Sequence, residues 1–326
     1  MVKEVEETRT SEKQRKKQYR TIYELLFYTP RIYVKTVSSK LGVDPAVASR
    51  RMKEAFDLEY IAGPHIRKRS YSNMMEYVYF VNCKSSVKSF LQYIDDGTIT
   101  YHAVMSGFAN LWITSKEKID IDGVVIEGPR SDYYISFAPD QSWETALQKM
   151  RKKMEAFNFS EYTPEGIIKT HWNEYMEWDS KDEILFREFK YSMRKKFSPI
   201  MKEHKISGEK LYEWLGRLPE CCTITTSYFP ERFSTYDSYL FMFETDYEDF
   251  VIDLFSELPT SSLFFTVADK LFLYAQVTGR LVRFVDIQDS RVGQLQIPLL
   301  VEDLLERGIL KSEAHAILEY YWGKNF

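Results

Sequence analysis

The sequence predicts an α+β fold in which short helices and antiparallel strands form two tandem halves. Hydrophobic residues recur with a helical period up to about residue 57, and they alternate as in strands from Ile61 onward. The strand-like segments EYVYFVN (76–82) and TYHAVMSGFANLWIT (100–114) recur as SYLFMFE (238–244) and SLFFTVADKLFLYAQ (262–276). The offset from 76 to 238 is the same as that from 100 to 262, which indicates an internal duplication, although hydrophobic strands also resemble one another by chance.

Composition and charge restrict the class of protein. A 16% share of aromatic residues is typical of strands with aromatic faces. No apolar run approaches the ~20 residues needed to cross a bilayer, and the N-terminus has no apolar signal-peptide core, so a cytoplasmic protein without membrane association is expected. Three cysteines without CxxC spacing and five dispersed histidines argue against a metal site. No cofactor motif is present either, so no cofactor and no catalytic residue are predicted.

The charge is concentrated at one end of the chain. Residues 1–75 contain 16 Lys and Arg against 9 Asp and Glu, whereas the remaining residues contain 28 against 39. A basic first segment on an acidic body favours a polyanionic partner for that segment. The simpler interpretation is an ordinary solvated helix surface.

Residues 1–75 predict a basic flexible arm (1–17) and three short helices. The first helix ends before Pro30, the second ends at Gly42, and the third begins with Asp44 as N-cap and Pro45. Strands at 61–66 and 71–81 are expected to pair as a hairpin through residues 67–69, which forms a wing. Residues 18–75 therefore predict a winged helix-turn-helix domain.

The rest of the chain predicts two ferredoxin-like βαββαβ modules. The first (76–157) has strands at 76–82, 98–106 and 110–115, a helix at 85–94 and a final helix at 142–157. A connector (158–182) leads to a degenerate winged-helix-like domain (183–236), in which Pro199 interrupts the second helix. The second module (237–326) is expected to end in two amphipathic helices separated at Gly308.

The basic residues of the first domain predict a surface that binds DNA. The exposed face of the third helix would enter the major groove, and the wing would contact phosphate or the minor groove. The candidate DNA-binding residues are Ala46, Ser49, Arg50, Arg51, Lys53, His65, Arg67, Lys68 and Arg69.

The segment DPAVASRRMKEAFDLEYI (44–61), followed by a βαββ pattern with the turn VMSGFANLWITS (104–115), resembles the Lrp/AsnC (feast/famine) transcriptional regulators. In that family a glycine turn lies between the second and third strands, and Gly107 matches it. The resemblance implies a sequence-specific regulator that binds double-stranded DNA and senses a small-molecule effector in its α+β modules. It also implies a homodimer, because a palindromic operator needs two reading heads.

Two alternatives remain. The segment NLWIT (110–114), with His102 upstream, resembles a strand of the siroheme decarboxylases, which share this architecture. That resemblance implies decarboxylation of a tetrapyrrole, with His and Arg binding its carboxylates and delivering a proton. His102 is equally consistent with a hydrogen-bonded residue within the sheet. The second alternative is an interaction scaffold that does not bind DNA.

Overall fold

A computed structural model describes residues 11–278 and 296–323. The first four elements are three helices and a strand, and they are α1 (Glu12–Tyr28), α2 (Val34–Leu41), α3 (Pro45–Asp57) and β1 (Ile61–Lys68). Helix α1 begins well before residue 18, because the Ser11 hydroxyl caps it by accepting a hydrogen bond from the backbone N–H of Gln14. Residues 12–17 of the predicted flexible arm are therefore helical. Residues 1–10 of the arm lie outside the described residues.

The first module follows the predicted order. Its elements are β2 (Tyr77–Val81), α4 (Ser86–Tyr93), β3 (Ile99–Gly107), β4 (Leu111–Ser115), β5 (Val124–Pro129), β6 (Tyr134–Ile135) and α5 (Trp143–Glu155). Within it the strands lie in the order β5-β2-β4-β3, which is the arrangement of a ferredoxin-like sheet.

The second half repeats the first. Its elements are α6 (Ser180–Phe189), α7 (Phe197–His204), α8 (Gly208–Cys221), β7 (Cys222–Tyr228), β8 (Asp237–Glu244), α9 (Glu248–Phe255), β9 (Leu263–Val267), β10 (Lys270–Val277), α10 (Gln296–Glu306) and β11 (Ser312–Gly323). Helix α4 begins at Ser86 and α9 at Glu248, which is the offset of the recurring sequence segments, and α6 to α8 follow the layout of α1 to α3. The predicted tandem fold, with a second winged-helix-like segment, is confirmed.

The two modules share one nine-stranded antiparallel sheet. Its order is β5-β2-β4-β3-β11-β8-β10-β9-β6, so β11 joins the two halves by pairing with both β3 and β8. The sheet curls, because residues 130–133 connect β5 at one end to β6 at the other, and Arg130 pairs with Val267 of β9. Stacked aromatic rings of Phe80, Phe265 and Phe272 fill the space that the curled sheet encloses.

The C-terminal strand corrects the prediction of two helices. Residues after Gly308 form β11 instead of a second helix, because the sheet offers unpaired backbone groups on both sides of this position. Close approach of β3 and β11 requires a glycine. A Cβ atom at Gly107 (φ 153°) would lie 2.2 Å from the carbonyl oxygen of His315.

The wing prediction is wrong. Strand β1 does not form a hairpin with the following strand; it pairs with β7, the equivalent strand of the second winged helix. Ile66 pairs with Ile224 and packs in the hydrophobic core of the second helical segment. Burial of this apolar side chain between the two helical segments explains why β1 pairs with a distant strand rather than with its neighbour.

The helices of the described ranges do not reach the length and hydropathy of a membrane span, and none of them could cross a membrane.

Candidate ligand cavity and nucleic-acid face

A cavity of about 950 Å³ lies between the β1/β7 pair and the curled sheet. This volume is at the upper end of the range of about 300–1,000 Å³ that is typical of ligand pockets. We call its two opposed surfaces the basic wall and the aromatic floor. The basic wall contains Arg67, Lys68, Arg187 and Lys190. The aromatic floor contains Tyr101, Trp112, Thr114, Tyr133 and Tyr274, and Lys116, which directly follows β4, also lines the cavity.

The internal duplication builds the floor. Trp112 and Tyr274 occupy equivalent positions of the two halves, as do Tyr101 and Leu263, and all four side chains line the cavity. Equivalent positions of β3 and β9, and of β4 and β10, therefore face the same space. The two halves together create a site that neither half could form alone.

The lining of the cavity carries more positive than negative charge. Its five cations are accompanied by the carboxylates of Glu59, Glu76 and Glu183. Glu183 neutralises part of the wall, because its carboxylate forms ion pairs with Lys68 and with Arg187. These contacts hold the pKa of Glu183 at about 2, although burial alone would raise it.

Arg67 and Lys190 place two positive charges close together on the wall. Arg67 forms no ion pair with any residue of the described ranges; its guanidinium lies 5.5 Å from the ring centroid of Tyr191. Burial, with the nearby charge of Arg67, lowers the pKa of Lys190 to about 8. A bound anion would relieve this repulsion, so the wall is suited to carboxylate groups.

Glu76 is held at the edge of the floor by a fully buried arginine. The Nε of Arg130 donates to Glu76 Oε2 at 2.8 Å, and its Nη2 atom donates to the same oxygen. Burial alone would raise the pKa of Glu76, but the charge and hydrogen bonds of Arg130 outweigh it and lower the pKa. Arg130 also donates to the carbonyl oxygens of Lys68 and Ser131, so it connects the end of β1 to the sheet.

The floor contains hydrogen-bond donors without acceptors. Trp112 Nε1 and Thr114 Oγ1 are buried and have no hydrogen-bond partner in the described part of the chain. The two residues are only 6% and 3% exposed. Buried polar atoms are rarely left in this state, because the cost is about 1–3 kcal/mol each. Both residues line the cavity.

His65 lines the cavity as a neutral imidazole. Burial, together with the charge of Arg67, lowers its pKa to about 4. Its ring lies edge-on to that of Tyr191, with centroids 6.3 Å apart. At neutral pH the side chain therefore carries no charge and cannot contribute as a cation to DNA binding.

Four of the nine predicted DNA-binding residues lie on one exposed face, and the other five do not. Ala46, Ser49, Arg50 and Lys53 lie together on the exposed face of α3. Arg51, expected to contact phosphate, is instead buried, and its Nε donates to Gln18 Oε1 at 2.8 Å. His65, Arg67 and Lys68 line the cavity, and Arg69 is paired with Asp132 at 2.8 Å.

His102, the other residue considered for chemistry in the sequence, lies in the hydrophobic interior. His102 is fully buried beneath α4, with its ring centroid 4.5 Å from that of Phe90, and it does not line the cavity. In the described ranges, no group of three or more His, Cys, Asp or Glu side chains could hold a metal ion. Lys116, Arg187 and Lys190 were not predicted from the sequence. For Arg187 and Lys190 a signal was available, because cations and aromatic residues are interleaved in FREFKY (186–191).

Comparisons with known proteins identify the architecture. No protein-family model and no curated protein matches the sequence. A crystal structure of the siroheme decarboxylase NirDL matches 94% of this chain and 92% of its own, with a TM-score of 0.50 and 12% identity. A crystal structure of NirDL in co-complex with an iron-uroporphyrin III analogue covers the same shares, with a TM-score of 0.44 and 11% identity.

The chain has the Lrp/AsnC-like fold. The NirDL structure shares this architecture, and at 12% identity the similarity concerns the fold. The predicted architecture is thus confirmed, whereas no sequence match supports membership of the family or a transcriptional regulator.

Proposed function

We propose that this protein binds a tetrapyrrole carrying several carboxylates and removes carboxyl groups from it. The single observation that carries the proposal is the cavity, where a basic wall faces an aromatic floor with two unsatisfied donors. A planar macrocycle with acetate and propionate side chains matches both surfaces. The similarity in fold to a siroheme decarboxylase supports siroheme as the substrate to test first.

The proposed mechanism uses the two surfaces differently. Arg67 and Lys190 bind carboxylates that do not react, and this fixes the orientation of the macrocycle. The aromatic floor excludes water around the carboxylate that reacts. Loss of carbon dioxide spreads the negative charge over the macrocycle, so a desolvated carboxylate is closer in energy to the transition state than a hydrated one.

Binding is tested with uroporphyrin III, an octacarboxylate porphyrin, by titration of its main absorption band. We expect Arg67→Ala to weaken binding by at least tenfold, because a buried charge-assisted contact is lost. Arg50→Ala is the matched control, since the Arg50 side chain is 64% exposed on α3 and does not line the cavity. Equal affinities for the two variants would contradict the proposal.

Activity is tested by incubating the purified protein with siroheme and measuring carbon dioxide and the mass of the macrocycle. Each turnover replaces one carboxylate group by a hydrogen atom, takes up one proton and releases one carbon dioxide. Unchanged siroheme in the presence of saturable binding would rule out the decarboxylase and leave a tetrapyrrole-binding protein.

DNA binding is a second candidate, which the exposed face of α3 favours. Ala46, Ser49, Arg50 and Lys53 form a small-residue and basic surface of the kind that enters a major groove. In this proposal the protein is a cytoplasmic regulator, two chains contact a palindromic operator as a homodimer, and the cavity holds the effector. The same two variants separate the candidates. Arg50→Ala should then reduce binding to duplex DNA at low salt, whereas Arg67→Ala should leave it unchanged.

A further inference from the structure

We propose that Tyr133 is the proton donor of the decarboxylation, with Arg130 as the residue that positions it. This inference rests on the proposed function and concerns the aromatic floor. Tyr133 lines the cavity, and the guanidinium of Arg130 lies 4.2 Å from the centroid of its ring.

The proton balance of the reaction defines what this residue must do. The bond between a side-chain methylene carbon and its carboxylate breaks, carbon dioxide leaves, and the electron pair remains on that carbon. The phenolic proton of Tyr133 then forms the new C–H bond, and the resulting phenolate is reprotonated from water. No oxidant or reductant is consumed.

The positive charge of Arg130 favours ionisation of the Tyr133 hydroxyl. Burial raises the pKa of Tyr133, whereas the positive charge of Arg130 acts in the opposite direction by stabilising a phenolate. Tyr101 has no described cation against its ring, and burial holds its pKa well above the usual value. A buried cation that neither moves nor hydrates is an effective stabiliser of charge that develops during a reaction.

The floor geometry places Tyr133 beside the unsatisfied donors. Tyr133 and Trp112 both pack against the ring of Phe265, with centroid distances of 5.5 and 5.7 Å. Trp112 and Tyr133 therefore lie next to each other on the floor, and the indole N–H of Trp112 has no acceptor in the described chain. The hydroxyl group of Tyr133 makes no hydrogen bond to another residue of the described chain, so it is available to a ligand.

Competing proton donors in the cavity fit less well. His65 is unprotonated at neutral pH, so it has no imidazolium proton to give. Lys190 lies on the basic wall, where its charge binds carboxylates. The hydroxyl of Tyr274 donates to Ser238 at 3.1 Å and is already engaged.

The test compares Tyr133→Phe with Tyr175→Phe in the full chain, because Tyr175 is exposed and does not line the cavity. General acid catalysis contributes about 10²–10⁴-fold, so we expect Tyr133→Phe to lower kcat for siroheme by at least 100-fold. Uroporphyrin III affinity should stay within about threefold of the wild type, because only one oxygen is removed. Tyr175→Phe should leave kcat within about twofold of the wild type, because its side chain is remote from the cavity.

Three outcomes are decisive. A selective loss of kcat in Tyr133→Phe with unchanged affinity supports the inference. Wild-type kcat in Tyr133→Phe, or an equal loss in both variants, overturns it while the proposed decarboxylase stands. Wild-type protein that leaves siroheme unchanged overturns both.

Discussion

Arg130→Met tests the most deeply buried charge of the described chain. The side chain of Arg130 is fully buried, and its removal leaves the Glu76 carboxylate, which is 24% exposed, without its ionic partner. The carbonyl oxygens of Lys68 and Ser131 lose their donors as well. Breaking a buried ion pair on one side costs about 3–5 kcal/mol, so we expect the free energy of unfolding to fall by about that amount near neutral pH.

The pH dependence gives this prediction its sign. In the wild type the pKa of Glu76 lies below 4.5, so its stabilising contribution is present above that pH and is lost only as the pH falls further. Without the charge and hydrogen bonds of Arg130, we expect burial to raise the pKa of Glu76, because burial is the largest single influence on this carboxylate. Protonation then relieves the buried charge, and the difference between variant and wild type should narrow from about pH 7 to about pH 5.

Urea unfolding followed by circular dichroism measures both effects. The double variant Arg130→Met with Glu76→Gln should be more stable than Arg130→Met alone, because the unpaired charge is gone. Arg50→Met is the control, since its exposed pair with Glu54, at 4.0 Å, contributes less than about 1 kcal/mol. A cost below about 1 kcal/mol for Arg130→Met, or the same cost at both pH values, would refute the reasoning.

Three further predictions concern the sheet and the cavity. Gly107→Ala should destabilise the protein by about 1–3 kcal/mol in urea, because its Cβ would collide with the backbone of β11, whereas Gly97→Ala, which meets no atom within 4 Å, should have little effect. Affinity for uroporphyrin III should fall up to about tenfold from about pH 7 to about pH 9, because Lys190, with a pKa of about 8, loses its charge, and Lys190→Met should remove this dependence. The His65 ring should titrate near pH 4 by NMR, and Arg67→Ala should raise this pKa. The unfolded state takes up the His65 proton near pH 6.5, so the contribution of neutral His65 to the free energy of unfolding is lost as the pH falls from about 6.5 to 4.

Local patterns in the sequence determined the elements and the duplication. Gly42 ends α2 with φ of 65°, and Pro45 begins α3, as the sequence predicts from the preferences of these residues. Helices α4 and α9 begin at Ser86 and Glu248, as predicted from the offset of the recurring hydrophobic pattern. The starts and ends of helices depend on residues close in the chain, so they can be predicted from the sequence.

Tertiary structure decided the partners of strands and charges. Strand β1 pairs with β7, which belongs to the other half of the chain. Because of this pairing, the predicted wing residues Arg67 and Lys68 lie in the basic wall of the cavity. Arg67 and Arg69 are near neighbours in the sequence, yet Arg67 lines the cavity and Arg69 is neutralised by Asp132. No local pattern encodes which carboxylate meets a given cation or which edge a strand finds. Those choices follow from burying apolar surface and satisfying backbone groups across the whole chain.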